Sequence, residues 1–266
     1  TFEGENKVFQ KTQIPFFIAN EPTAESMVTA MIYDNQNRLI NTIETKEITK
    51  GLNYLIWKLD ESSSSLSGSW EDDFSRDIPV LPGEYSIVLK NGSFTDTTSV
   101  KVIQDPRFQL ESKVDEELYR YRKLVDGQVE LLSKHLSDID AKNKKVASLL
   151  KQVHEADNKT DQGLILKLEA MKQSLTALRA KGQTPKPERQ VGAWQSFETS
   201  PYTKIREALI IAAAQTNLIS SQHTEILEQG KSLVTEFSKT VTGFVSNEWV
   251  SFETAIKSSN LNWEEK

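Results

Sequence analysis

The sequence predicts an α+β chain of two parts, an N-terminal immunoglobulin-like β-sandwich over 1–107 and an elongated antiparallel helical bundle over 108–266. Two observations predict it. Apolar residues recur with period two in short β-branched and aromatic runs before Asp105-Pro106-Arg107, and in steps of three and four after it. The formal charge changes at the same place. Residues 1–107 hold 10 Lys+Arg against 16 Asp+Glu, whereas the remainder holds 22 of each.

The expected strands are Pro15 to Ile18, Val28 to Tyr33, Leu39 to Ile43, Leu52 to Leu59, Tyr85 to Lys90 and Thr97 to Ile103. Val28, Ala30 and Ile32 alternate with Thr29, Met31 and Tyr33. Asp34-Asn35-Gln36-Asn37 then forms a turn, because Asn and Asp tolerate left-handed backbone and bond their own chain. Leu55, Trp57 and Leu59 oppose Tyr54, Ile56 and Lys58, which makes Trp57 a core residue. Pro82-Gly83 supplies a tight turn, Pro presetting φ and Gly accepting positive φ. Six or seven short strands in such a length suit a two-sheet sandwich.

The helical stripes begin with Val114, Leu118, Tyr121, Val125 and Leu132 and continue through Ile139, Val146, Leu149 and Val153. About 44 residues at 1.5 Å each make a first helix roughly 65 Å long. Asp157-Asn158-Lys159-Thr160 ends it. Leu164, Leu168, Met171, Leu175 and Leu178 form the second stripe, closed by a linker at about 181–200 that holds Pro185 and Pro187. Ser200-Pro201 opens the third, with Ser as cap and Pro in the first turn. Its stripe is Ile205, Leu209, Ala212, Thr216 and Ile219, and a break is expected between Asn217 and Gln222 or near Gly230. Ile226, Leu233, Phe237, Phe244 and Phe252 carry the rest, with Trp249 packing beside Phe244 and Phe252. Such stripes bury themselves only against other helices.

Composition narrows the function. The chain has 266 residues, net charge -6 and no cysteine, which excludes disulfides, thiol nucleophiles and zinc–thiolate sites. Neither half carries the basic excess that nucleic-acid binding needs, and Lys142, Lys144 and Lys145 stand beside Asp138 and Asp140. The longest apolar runs, Ile14 to Ala19 and Ala208 to Ala214, fall far short of the roughly 18 residues of a membrane helix. Opening at Thr1 with no charged-then-apolar leader, the chain reads as a mature or excised piece of something longer. His135, His154 and His223 lie too far apart for a helical metal pair, and no phosphate loop or nucleophile elbow is present. No cofactor, metal site or catalytic residue is expected.

Four residues are the candidates for ligand or partner contact: Trp70, Asp72, Asp73 and Trp194. The acidic stretch from Asp60 to Asp77 also holds Glu61 and Glu71, with Ser62 to Ser65 between. Paired carboxylates suit a glycosidase, and clustered oxygen ligands suit calcium. The Ser and Gly around these acids favour a solvated loop over either. Trp70, Trp194 and Trp263 lie in polar context, where an aromatic ring stacks on a sugar or anchors a protein. For Trp194 a plug between the units is favoured.

Three segments resemble a known family. Gly51-Leu52-Asn53-Tyr54-Leu55-Ile56-Trp57-Lys58-Leu59 looks like the Gly-x-Asn-x-x-x-Trp-Asp-Leu strand of secreted bacterial sortilin-like proteins, with Lys58 in place of the Asp. Pro79-Val80-Leu81-Pro82-Gly83-Glu84-Tyr85 looks like their Pro-Gly-Thr-Tyr strand, and Val102-Ile103-Gln104-Asp105-Pro106-Arg107 like their Asp-Pro-Arg exit. Ser200-Pro201-Tyr202-Thr203-Lys204-Ile205 is similar to a segment of their tail. These proteins carry β-propellers of BNR/Asp-box type, are often labelled glycosyl hydrolases, and end in an immunoglobulin-like domain and a helical tail. The β-domain is also similar to that of flagellar-hook-capping proteins. The resemblance implies a non-catalytic accessory module of a secreted or periplasmic protein, whose partner is an upstream β-propeller of the same polypeptide or another protein. A carbohydrate-binding module contacting a glycan through exposed Trp, and a helical oligomerisation adaptor, are the alternatives.

Overall fold

The computed structural model describes residues 11–23, 26–66, 78–104, 112–155, 162–183, 199–214 and 218–258. Among the described residues the chain is α+β, a β-sheet region followed by four helices, the last continued through a π turn into a fifth segment. It divides into two compact units. One takes its described residues from 1–63 and 77–120, the other from 64–76 and 121–266.

The β unit contains β1 (Thr12–Ile18), β2 (Val28–Tyr33), β3 (Leu39–Thr45), β4 (Gly51–Trp57), β5 (Asp60–Glu61), β6 (Ile78–Pro79), β7 (Gly83–Asn91) and β8 (Phe94–Val102). β1 pairs antiparallel with β4, β5 with β6, and the larger sheet runs β3-β2-β7-β8. One apolar core draws on both of the longer sheets: Ile14 from β1, Val28, Ala30 and Ile32 from β2, Leu55 and Trp57 from β4, Tyr85 and Ile87 from β7. The period-two alternation of β2 and β4 is what delivers these side chains to one face. All six expected strands are present: β2 keeps its expected bounds, β1, β3 and β7 are longer, and β4 and β8 begin and end earlier than expected; the two-residue strands β5 and β6 have no signal in the sequence.

Local chemistry accounts for the turns. The Asp34 carboxylate accepts from the N–H groups of Gln36 and Arg38 at 2.9 Å each, and Asn37 takes the left-handed backbone at φ 61°. Gly51 enters β4 at φ 103°, a conformation that side chains rarely adopt. Asn53 then donates to the carbonyls of Thr49 and Gly51 at 2.7 and 2.9 Å and accepts from the Thr49 N–H at 2.9 Å. Gly and Asn two residues apart thus satisfy the backbone of the loop entering β4.

In the helical unit α1 (Ser112–Glu155, from Tyr121 onward), α2 (Gln162–Gly182), α3 (Pro201–Ala214) and α4 (Ser221–Phe244) share one apolar core. The expected stripes of α1 and α2 are buried except Leu164, which is half-buried, and Val129 is buried between Val125 and Leu132. Ser200 and Thr203 exchange bonds at the start of α3, where the Ser200 Oγ accepts from the Thr203 N–H at 3.2 Å. The α4 stripe differs from expectation. Leu227, Gly230, Val234, Phe237, Val241 and Phe244 are buried, while Ile226 and Leu233 lie beside the seam. Ser220 caps α4 by accepting from the His223 N–H, and the His223 ring accepts from the Ser220 N–H in return.

After Phe244 the helix passes through a π-helical turn, Val245–Trp249, into α5 (Val250–Lys257) without leaving helical backbone. The π turn holds one more residue than an α turn. The apolar stripe steps by five from Phe244 to Trp249, then returns to three and four at Phe252 and Ile256, all buried. The extra residue of the sequence is absorbed in the backbone, and the seam stays on one face. Among the described residues no helix is long and apolar enough to cross a membrane.

Candidate interaction surface

Trp70, Asp72, Asp73 and Trp194 lie outside the described residues, as do Glu71, Asp77 and Trp263. The described end of the acidic stretch departs from a solvated loop. Asp60 and Glu61 are buried. The Asp60 carbonyl accepts from the Trp57 indole N–H at 2.9 Å, and the Asp60 carboxylate accepts from the Asn41 amide at 3.0 Å. Ser64, Ser65 and Leu66 belong to the helical unit: the Ser64 N–H donates to Asp126 at 2.7 Å, Ser133 donates to the Ser65 carbonyl at 2.8 Å, and Leu66 joins the helical core.

Glu61 is one member of a charged cluster in the β unit. The Arg38 guanidinium reaches Asp34 at 3.0 Å, Glu61 at 3.1 Å and the Tyr119 hydroxyl at 3.0 Å, and Tyr119 donates to Glu61. Burial opposes ionisation of Asp34, yet the Arg38 N–H and guanidinium outweigh it and hold its carboxyl below the ordinary range. Burial, reinforced by the neighbouring Glu61 carboxylate, raises the Tyr119 phenol. Burial pushes the Tyr85 phenol up to about 12. Both carboxylates are therefore engaged by one arginine. Among the described residues no group of three or more His, Asp or Glu converges on a metal position.

His135 stands against the ring of Phe237 at 6.1 Å, edge to face, with its Nε2 buried and lacking a hydrogen bond. Burial lowers its pKa below the ordinary histidine value. This is a packed, partly exposed histidine.

The surface feature that stands out is the outer face of β1–β4. The register sets Phe17 opposite Leu52, Pro15 opposite Tyr54, and Gln13 opposite Ile56. Phe17 is 72 % exposed, Leu52 58 %, Tyr54 53 % and Ile56 48 %. Strand alternation that sends Ile14, Leu55 and Trp57 inward sends these residues out. An antiparallel sheet with a solvated outer face ordinarily carries polar residues there. A contiguous apolar patch on such a face marks an interaction surface. The sequence held the signal, since Leu52, Tyr54 and Ile56 are apolar on the face opposite the core residues Leu55 and Trp57.

Comparison with known proteins returned no family model that matches the chain and no curated protein that matches it.

Proposed function

We propose that this chain is a non-catalytic accessory module, the C-terminal part of a secreted or periplasmic sortilin-like β-propeller protein. Its finer architecture is an immunoglobulin-like sandwich joined to an antiparallel helical bundle. The observation that carries the reading is the apolar outer face of Phe17, Leu52, Tyr54 and Ile56, which suits the flank of an adjoining folded domain. The sandwich is supported by the core shared between two sheets and by a tyrosine corner, in which the Tyr85 hydroxyl donates to the Leu81 carbonyl at 2.6 Å. The absence of turnover is supported by the engagement of Asp34 and Glu61 with Arg38.

Co-expression with a sortilin-like β-propeller tests the proposal. Hydrogen exchange across 51–57 slows in the complex, and the combined changes Leu52→Lys, Tyr54→Lys and Ile56→Lys restore it. Unchanged exchange, or release of product from any oligosaccharide by the chain alone, overturns the proposal.

A further inference from the structure

Among the described residues β1 is bonded along one edge only. It pairs with β4, and among the described residues no strand pairs its other side. An open groove of about 510 Å³ runs beside it. Residues 15–20 line this groove consecutively while no residue of β4 does, so the groove follows the edge of β1 that faces away from β4.

The far wall is the tip of the β7–β8 hairpin, with Val28 also in the lining. In that hairpin Leu89 pairs with Asp96 and Asn91 with Phe94, on the face that carries the buried Tyr85 and Ile87 further along. Phe94 therefore sits on the inward face of its sheet, yet it is 80 % exposed. Among the described residues four strands make up this sheet and two the sheet of β1.

We propose that the groove is a strand-addition site, which takes an extended segment of a neighbouring polypeptide against the free edge of β1. Two demands select that occupant. The edge offers backbone donors and acceptors in strand spacing, which another extended backbone satisfies. The inward-facing Phe16, Leu89 and Phe94 call for apolar side chains at every second position of the incoming strand. Pro15 has no N–H to give, so pairing centres on residues 16–20. Lys90 and Asp96, at the rim, form no ion pair among the described residues, so a segment with one acidic and one basic residue meets complementary charge there. Phe17 belongs to both the groove and the outer face of β1–β4, whereas Leu52, Tyr54 and Ile56 line only the latter, so variants of these three separate the two proposals.

The test uses the full 266-residue chain and a phage-displayed library of random peptides of about twelve residues, long enough to span β1. Enriched peptides are expected to alternate apolar residues and to carry both signs of charge. Synthetic versions are then measured by fluorescence anisotropy. Phe94→Asp weakens binding by about tenfold or more, and so does methylation of alternate backbone nitrogens in the peptide, which removes its ladder donors. Tyr54→Asp, outside the groove, leaves binding unchanged. Both substitutions are at exposed positions and leave thermal unfolding close to that of the parent. The proposal is overturned if no peptide is enriched, if enriched peptides lack the alternation, or if N-methylation or Phe94→Asp leaves binding intact.

Discussion

Phe237 fills the space that Gly182 leaves empty. A Cβ on Gly182 would lie 2.4 Å from the Phe237 Cζ and 3.0 Å from a Leu136 methyl. A phenyl ring held in a packed core has little room to retreat, so Gly182→Ala overpacks the junction of α1, α2 and α4. The expected cost is about 1–3 kcal/mol, larger than the helix-propensity gain of at most about 1 kcal/mol. Urea denaturation reads it as a lower midpoint with unchanged slope.

Gly230 makes the contrasting case. Its missing Cβ would meet the Ile205 Cδ1 at 2.7 Å, the far end of a flexible side chain. Ile205 can turn that methyl aside at modest cost, and Ala gains helix propensity of about 1 kcal/mol in mid-helix. Gly230→Ala is expected to change stability by less than Gly182→Ala does in the same denaturation experiment.

Tyr119→Phe removes the hydroxyl that links Arg38 and Glu61 and leaves the packing of the ring. A loss of about 1–2 kcal/mol is expected, because the buried carboxylate forfeits one donor while keeping the guanidinium. Adding Glu61→Gln to Tyr119→Phe costs less than the sum of the two single changes, since both act on one network. A double-mutant cycle on thermal unfolding measures the difference.

Acid acts on Asp34 first through Arg38. The carboxyl titrates lower in the folded chain than in the unfolded one. Its contribution is therefore complete above the unfolded value near 3.8 and disappears as pH falls through the lower folded value. Asp34→Asn should flatten the acid limb of the stability profile below about pH 4 and leave the neutral region with only the loss of the ion pair.

His135 works in the same sense at higher pH. Burial, opposed by Asp138 and aided by Lys134, lowers its pKa from 6.5. Between that value and the lower folded one the unfolded chain binds a proton that the folded chain does not. Stability therefore falls on acidification through this window and is fully present above it. His135→Leu removes that slope, seen as a flatter unfolding free energy from about pH 7 to 5.

How much of this was open to reading differs by element. Val28, Ala30 and Ile32 alternate so cleanly that β2 matches its expected bounds residue for residue. Trp57 and Trp249 were legible as core for the same reason of period. The α4 seam was not, because Gly230 sits on it with no side chain to count, and Leu233 and Val234 compete for adjacent positions. The burial of Asp60 and Glu61 was illegible too. It depends on Asn41, Arg38 and Tyr119, partners 19, 23 and 58 residues away. The groove beside β1 depends on which strands are missing from a sheet, and no local pattern encodes that.

The five-residue step at Val245–Trp249 gives the helix a spare position. Upstream and downstream of it the seam obeys ordinary spacing, so excising Asn247 would let the backbone close to a regular α turn with Trp249, Phe252 and Ile256 still aimed inward. Almost anywhere else in a helix, loss of one residue swings everything beyond it round by about 100°. Here the shortened chain should melt no lower than its parent, which makes this turn the one place in α4 and α5 where the length of the polypeptide is free to vary.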